Sequence, residues 1–325
     1  MRTIATMTML ITMAAAGIAA PVSAGGTAAG GEMTIPGPSG PLAGTLVDPG
    51  GKTPAVLILP GSGPTDRDGN NPLGVTAAPY RLLAEALGAR GIATLRIDKR
   101  GMFGSKAAIP DPNAVTIAAY AADARSWVDA LRRRTGRSCV WVLGHSEGGL
   151  IALQAAQRPA GICGVILVSA PGKPLGDTMR AQFRANPANA PILDAALKAI
   201  DALEAGRRVD PATLPPPLPM IFPAAVQGFT IDLLAQKPAV LAAALKVPVL
   251  VVQGDRDIQI GLDDARALAA AAPHARLAVI PGVNHVLKSV ASDDRAANLA
   301  TYGDPSLPVA PGVVDAIAGF VTTGR

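Results

Sequence analysis

One serine in the chain has neighbours that could make its hydroxyl a nucleophile. The sequence GHSEGG at positions 144–149 lies between an apolar run at 140–143 and a helix-like run at 150–156. A strand, a sharp turn and a helix in this order form a nucleophile elbow, in which glycines leave room for crowded backbones. Ser146 would stand exposed at a helix N-terminus, where the backbone N–H of Glu147 is free to bind the oxyanion of a tetrahedral intermediate. The motif therefore predicts covalent catalysis by Ser146.

A serine hydroxyl is a poor nucleophile near neutral pH, so it needs a base, and the chain has three histidines. His145 lies inside the elbow, where consecutive side chains diverge, and we expect it to pack beside the turn. His274 precedes the last predicted strand and would lie on the surface, at the opposite end of the sheet from Ser146. His285 follows that strand, so it emerges at the carboxyl end together with the elbow. Position in the sheet selects His285.

The acid that orients the base should also follow a strand, between the serine and the histidine in the chain. The sequence GDRD at positions 254–257 leaves the carboxyl end of a predicted strand. Asp255 and Asp257 are two residues apart and would face the same side of an extended segment, so both are candidates. Asp257 lies farther into the loop and reaches more easily toward His285. We expect Asp257 to orient the histidine and Asp255 to accept backbone N–H groups in the turn.

A glycine-rich loop, PGSGP at positions 60–64, follows the first strand that is predicted to be buried. When a serine elbow is present, the loop at this place supplies a second donor to the oxyanion. Its glycines let the backbone approach the reacting carbonyl, and the N–H of Ser62 is our candidate beside that of Glu147. A phosphate-binding loop is excluded because no Gly-Lys-Ser/Thr follows.

Apolar runs and amphipathic stretches alternate along most of the chain. Residues 32–36 and 42–47 alternate apolar and polar side chains, which predicts an antiparallel hairpin at a sheet edge. The continuous apolar run at 55–59 is typical of a strand buried on both faces, and further strand patterns follow at 92–97, 139–143, 164–169, 247–252 and 277–280. Helical patterns separate most of these runs. The sequence therefore predicts an α/β fold with a mostly parallel eight-stranded sheet and helices on both faces.

The alternation stops after residue 171, and no strand pattern returns before residue 247. Between them, 192–204 and 231–245 are typical of helices, and a proline-rich segment at 211–223 joins them. We interpret this part as a helical cap inserted into the sheet domain. The predicted division is a signal peptide, 1–24, a first part of the core, 25–171, the cap, 172–246, and a second part of the core, 247–325.

The first residues have the pattern of a cleaved secretory signal. Arg2 precedes an apolar stretch from about residue 4 to residue 20, and small residues follow up to Ala24. We expect cleavage after Ala24 and a periplasmic or secreted protein. No later segment has the roughly 18 uninterrupted apolar residues that a span needs, so no stable membrane insertion is expected.

Composition excludes several partners. The formal net charge is +5 at pH 7 and is not clustered, and only 3% of the residues are aromatic. The one basic run, at 132–134, would point in different directions around a helix, so nucleic-acid binding is not expected. No group of ligand residues has zinc spacing, and we expect no metal and no cofactor.

Two cysteines open adjacent predicted strands at matching positions. In an exported protein, Cys139 and Cys163 could form a disulfide. They could equally be two small buried side chains, and the spacing does not decide between these alternatives.

These motifs resemble those of the α/β-hydrolases, and within them the esterase-like branch close to the catalytic domains of prolyl oligopeptidases. The resemblance covers most of the chain after residue 24. It is carried by PGSGP and DRDGN at 60–64 and 66–70, DKRG at 98–101, GHSEGG at 144–149, Gly-x-x-Asp at 254–257, and Asn284-His285. It implies a triad of Ser146, Asp257 and His285. Pro60 departs from the family pattern, since many relatives have histidine there, but the backbone donors remain.

Together with the predicted signal peptide, the resemblance implies an exported serine hydrolase that cleaves carboxylic esters of small molecules through an acyl-enzyme. Thioester or peptide cleavage by the same triad is the alternative among enzymes. A dehalogenase is disfavoured because it would need aspartate at the elbow. A catalytically silent binding protein is the alternative from another class, because a fold does not fix a function.

Overall fold

The computed structural model of the protein describes residues 31–324, so the predicted signal peptide lies outside the described residues. The strands are β1 (Gly31–Pro36), β2 (Pro41–Val47), β3 (Ala55–Leu59), β4 (Ala93–Ile97), β5 (Val140–His145), β6 (Ile162–Val168), β7 (Val249–Gly254) and β8 (Arg276–Ile280). The helices are α1 (Pro79–Gly88), α2 (Ile117–Thr135), α3 (Glu147–Ala155), α4 (Leu175–Ala185), α5 (Leu193–Glu204), α6 (Leu218–Ile221), α7 (Gln227–Leu234), α8 (Pro238–Ala243), α9 (Leu262–Ala271), α10 (Arg295–Ala300) and α11 (Pro311–Thr323). Across residues 31–324, no helix combines the length and the apolar character needed to cross a membrane.

The strands form one eight-stranded sheet in the order β1-β2-β4-β3-β5-β6-β7-β8. β3 to β8 pair in parallel, whereas β2 is antiparallel to both of its neighbours. The predicted fold class and edge hairpin are thus confirmed. The connection from β3 leads toward one edge of the sheet and the connection from β5 toward the other. A crevice at the carboxyl ends of the strands is the usual ligand site in such a sheet.

The central strands are buried on both faces because consecutive side chains enter two separate hydrophobic clusters. In β3, Leu57 and Leu59 pack against residues of α2 and α3 on one face. Val56 and Ile58 pack against residues of α1 and α11 on the other. This explains why the strand sequence is a continuous apolar run rather than an alternating one.

The connection from β6 to β7 holds the helices α4 to α8. Side chains of this helical insertion form their own hydrophobic cluster, which includes Met179, Phe183, Ile200 and Phe222. The insertion is therefore packed around an apolar interior of its own, as the apolar positions at helical spacing indicated.

The prediction of one helix over residues 231–245 is wrong. α7 ends at Leu234 and α8 begins at Pro238, which occupies the first turn of the new helix. Proline has no N–H to donate and clashes with the preceding turn, so a continuous helix cannot pass through it. Residues on both sides of the break nevertheless belong to the hydrophobic cluster that holds Leu57 and Leu59 of β3, namely Phe229, Leu233, Ala242 and Leu245.

Candidate active site

The elbow predicted around Ser146 forms between β5 and α3. β5 ends at His145, α3 begins at Glu147, and Ser146 has a φ of 53° and a ψ of −125°. A positive φ in a residue other than glycine is strained, and such strain is typically retained at functional sites. The close backbone approach also requires glycine, because a Cβ on Gly144 would collide with the backbone of Gly148.

The turns after β7 and β8 bring Asp257 and His285 into contact. Asp257 Oδ2 lies 2.8 Å from His285 Nδ1. The side chain of Asp257 is fully buried and that of His285 is 6% exposed. His285 and Ser146 line the same cavity. The structure therefore gathers the three predicted residues at the carboxyl ends of β5, β7 and β8.

The Asp257 carboxylate is held in its ionised form. Burial alone raises its pKa, but the His285 ring and the backbone N–H groups of Ile260 and Gln259 outweigh burial, so the pKa lies below its usual range. Oδ1 accepts from the N–H of Gln259 at 2.8 Å and of Ile260 at 3.0 Å. An ionised carboxylate can only accept hydrogen bonds, so His285 Nδ1 carries a proton and Nε2 is the free acceptor in the neutral ring.

Asp255 accepts a backbone N–H, as expected, but not within its own turn. Its Oδ1 accepts from the N–H of Gly282, 27 residues along the chain, at 2.7 Å. β7 and β8 are parallel neighbours, so the turns that follow them adjoin. Asp255 therefore ties these two turns together and does not contact the histidine that Asp257 holds.

His145 packs beside the elbow, and both of its ring nitrogens are hydrogen-bonded. Nε2 lies 2.8 Å from the carbonyl oxygen of His285, and Nδ1 lies 2.8 Å from the Tyr80 hydroxyl. Burial, followed by the neighbouring His285, lowers the pKa of His145 to about 3, so the ring is neutral near pH 7. Because a carbonyl only accepts, Nε2 carries the proton and Nδ1 accepts from Tyr80. The Tyr80 oxygen accepts in turn from the N–H of Gly61 at 3.0 Å, which links the loop after β3 to the His285 backbone.

The loop after β3 passes close to the elbow. A Cβ added to Gly61 would lie 3.2 Å from Ser146 Cβ, so glycine permits the approach. Ser62 and Glu147 both line the cavity. Glu147 is the first residue of α3, and the N–H groups of a first helical turn have no acceptor within the helix. Both predicted oxyanion donors thus belong to residues at the cavity wall.

A buried ion pair connects this loop to the elbow. Lys99 Nζ lies 2.8 Å from Glu147 Oε1, and the two side chains are 2% and 4% exposed. Nζ also donates to the carbonyl oxygen of Gly61 at 2.7 Å. In the sequence, Lys99 is recognisable only as part of a turn motif and Glu147 only through its N–H in the elbow. Two signals for a buried ion pair were available, a lysine at the end of a buried strand and a glutamate inside an apolar elbow. They are 48 residues apart, so the sequence does not show that they meet.

The cavity beside Ser146 has a volume of about 170 Å³. The helical insertion contributes the apolar side chains Leu175, Leu233 and Pro238 to its wall, and the turn after β8 contributes Val286. Mostly apolar walls with a few placed polar groups are typical of small-molecule sites. Within residues 31–324, no group of His, Cys, Asp or Glu side chains is arranged to hold a metal ion.

The opposite end of the sheet, at the amino ends of the strands, has a disulfide and an exposed histidine. Cys139 and Cys163 form a disulfide across the beginnings of β5 and β6, with their Cα atoms 5.1 Å apart. His274 is exposed and precedes β8, as its position in the sequence indicated. Neither feature lines the cavity at Ser146.

Comparisons with known proteins agree with this fold. Residues 56–300 match the model of the alpha/beta hydrolase family. Esterase EstD from Thermotoga maritima is 29% identical over 266 residues, an alignment that covers 80% of this chain and 58% of that esterase. The chain therefore spans little more than half the length of that relative.

Solved structures with similar folds include Est1E and a thermophilic esterase. Est1E from Butyrivibrio proteoclasticus, solved with ferulic acid bound, has a TM-score of 0.55 at 19% identity and covers 88% of this chain and 99% of its own. A thermophilic esterase from Thermogutta terrifontis, solved with malate bound, has a TM-score of 0.54 at 19% identity, over 90% of this chain and 99% of its own. These likenesses show the same fold. Because the family match spans most of the sheet domain and the insertion, the chain belongs to the alpha/beta hydrolase family.

Proposed function

We propose that this chain is an exported serine hydrolase that cleaves carboxylic esters through an acyl-enzyme. The observation that carries the proposal is the hydrogen bond between Asp257 and His285 beside the cavity that His285 shares with the strained Ser146. The names of EstD and of the Thermogutta terrifontis protein as esterases support ester bonds as the substrate class.

In the acylation step, Ser146 Oγ attacks the ester carbonyl carbon and passes its proton to His285 Nε2. Asp257 keeps the histidine in the tautomer that can accept this proton, and it stabilises the imidazolium that forms. The negative charge moves to the carbonyl oxygen, where the N–H groups of Ser62 and Glu147 stabilise it. Collapse of the tetrahedral intermediate breaks the bond to the leaving alcohol, which takes the proton from Nε2.

In the deacylation step, water replaces the alcohol. His285 Nε2 removes a proton from the water as its oxygen attacks the acyl carbonyl. A second tetrahedral intermediate forms at the same two N–H donors. Its collapse releases the carboxylic acid, and the proton returns from Nε2 to Ser146 Oγ.

The cavity favours a small acyl group. Its volume of about 170 Å³ is below the range of roughly 300 to 1,000 Å³ that is usual for drug-sized ligands. The residues of the helical insertion close part of the wall, so the insertion would limit the length of the acyl chain. We therefore expect short-chain esters to be the best substrates.

Export is supported by two independent observations. The first 24 residues have the pattern of a cleaved signal, and Cys139 and Cys163 are disulfide-bonded, which is characteristic of oxidising compartments. N-terminal sequencing of the full chain from the periplasm or medium of a bacterial host should find Gly25 first. Retention of Met1 in the exported fraction would argue against cleavage.

The reaction class is tested by a matched substrate panel. Nitrophenyl esters from acetate to laurate, a short acyl thioester and a peptide nitroanilide are compared by kcat/KM. The proposal expects short esters to be cleaved fastest. A thioester preferred over the oxygen ester of the same acyl group would identify a thioesterase, and turnover of none of them would favour a binding protein.

A further inference from the structure

We propose that Lys99 is a positioning residue of the oxyanion site, and that it acts through the carbonyl of Gly61 on the N–H of Ser62. The inference rests on the proposed function, because an oxyanion donor matters only if Ser146 attacks an acyl carbonyl. Lys99 itself touches neither the nucleophile nor the substrate cavity in this arrangement.

The geometry of one peptide unit carries the inference. The peptide between Gly61 and Ser62 is trans, so its C=O and its N–H point in opposite directions. Lys99 Nζ donates to the Gly61 oxygen at 2.7 Å and so fixes the direction of the C=O. The Ser62 N–H must then point away from Lys99.

The two sides of the loop are different environments. Gly61 and Ser62 line the cavity beside Ser146. Lys99 lies on the other side, in a separate small space that Leu59 and Pro60 also line. An N–H that points away from Lys99 therefore points toward the cavity, where the oxyanion would form.

Glu147 connects the two oxyanion donors. Its backbone N–H begins α3 beside Ser146, while its carboxylate binds Lys99 at 2.8 Å. If the peptide after Gly61 rotated, the buried ammonium would lose one of its two oxygen acceptors. A buried charge with an unmet donor is costly, so the ion pair resists that rotation.

The Gly61 N–H has a different partner, because it donates to the Tyr80 hydroxyl at 3.0 Å. Gly61 is thus restrained at both its N–H and its carbonyl. Only the contact to the carbonyl fixes the orientation of the peptide unit that carries the Ser62 N–H. Tyr80 restrains the preceding peptide unit. This difference makes Lys99, rather than Tyr80, the residue whose loss should misdirect the donor.

The test compares Lys99→Met with the parent enzyme. Loss of one oxyanion donor lowers kcat by about 10²- to 10³-fold, and a misdirected donor should cost about 10- to 100-fold. We expect this loss in kcat with KM changed less than about threefold. Affinity for a boronic acid, which forms a tetrahedral adduct on a catalytic serine, should fall by a similar factor.

A second variant separates positioning from folding. Lys99→Met alone leaves the Glu147 carboxylate buried without its partner, which could lower stability by itself. In Lys99→Met/Glu147→Met both charges are replaced by apolar side chains of similar length, so the thermal midpoint should return toward that of the parent. We expect kcat and boronate affinity to stay low in this variant.

Arg137→Met is the matched control at the other end of β3. Arg137 is a buried cation, 6% exposed, that donates to the carbonyl of Thr53, just before the strand begins. This variant should lower the thermal midpoint and leave kcat unchanged.

The results separate this proposal from the proposed function. If the parent cleaves esters and the double variant regains kcat together with its stability, Lys99 is only structural and the proposal is overturned. Unchanged boronate affinity in a folded Lys99→Met would overturn it as well. If the parent neither cleaves esters nor binds boronate at Ser146, the proposed function fails, and the positioning role fails with it.

Discussion

The two ends of strand β3 use the same kind of contact for different purposes. At the amino end, Arg137 donates to the carbonyl of Thr53 and pairs with Asp48, which is 28% exposed. At the carboxyl end, Lys99 donates to the carbonyl of Gly61 and pairs with Glu147, which is 4% exposed. Both contacts place a buried cation on a backbone oxygen next to the same strand.

What differs is the surroundings. The carboxyl end adds the strained Ser146, the buried His145 with its lowered pKa and the Asp257–His285 pair. The amino end adds a disulfide across β5 and β6. A buried charge alone therefore does not mark a functional site. The catalytic end is distinguished from the structural end by three features that occur together there. These are a strained residue, a neutral buried histidine and a cavity that the site residues share.

The largest effect on kcat, and so the largest difference between the amino and carboxyl ends of the strands, should come from changing Asp257. Asp257→Asn removes the ionised acceptor, and His285 should adopt the wrong tautomer, which lowers kcat by up to about 10⁴-fold. Asp255→Asn is the matched control, because it changes the same atoms two residues away in a side chain that accepts from the N–H of Gly282. It should lower the thermal midpoint more than kcat. An active Asp257→Asn beside an inactive but folded Asp255→Asn would reverse the assignment.

At the amino end, the effect should be on stability alone. Cys139→Ser/Cys163→Ser opens a bridge with a sequence separation of 24, which should lower the free energy of unfolding by about 3 kcal/mol. We expect kcat/KM on a short ester to stay within twofold, because the bridge lies at the other end of β5 from Ser146. Urea unfolding and ester hydrolysis measure the two effects. Loss of kcat in the folded variant would show that the two ends are coupled.

The smallest expected effect is a change in how stability depends on pH. The pKa of His145 is lowered to about 3 in the folded protein, whereas an unfolded histidine titrates near about 6.5. Between these values the unfolded chain binds a proton that the folded one does not, so stability falls as the pH decreases. The slope for one such proton is up to about 1.4 kcal/mol per pH unit.

His145→Gln removes the titrating group, so the free energy of unfolding should depend less on pH below about 6.5. His274→Gln, which changes the exposed histidine at the amino end, is the control variant. Urea unfolding at pH 6.5 and at pH 5 measures the slopes. Equal slopes in His145→Gln and the parent would show that His145 does not stay neutral in the folded protein.

Much of the fold follows directly from the sequence. Strands β3, β5, β6 and β7 are mostly apolar runs because both of their faces are covered, and such runs are easily recognised. The positions of His285 and Asp257 after strands predict that both belong to the site, and they lie within hydrogen-bond distance of each other. The elbow was visible because only glycines allow its backbone contacts.

The polar network around the elbow was not predictable in the same way. The Lys99–Glu147 pair and the Tyr80–His145 pair join residues that are 48 and 65 positions apart. Such pairs depend on how elements pack, which periodicity does not report. The break at Pro238 is different, because the proline was visible, but the apolar spacing on either side of it favoured one continuous helix.

The central claim is that Ser146 is the nucleophile, and covalent labelling tests it most directly. The parent and Ser146→Ala are treated with a fluorophosphonate, and the labelled peptide is identified by mass spectrometry. The account predicts a single label on Ser146 in the parent and none in the variant. It also predicts at least about a 10³-fold loss of ester hydrolysis in a variant with an unchanged thermal midpoint. Labelling at another residue, or a Ser146→Ala protein that hydrolyses a short ester within tenfold of the parent, would contradict it.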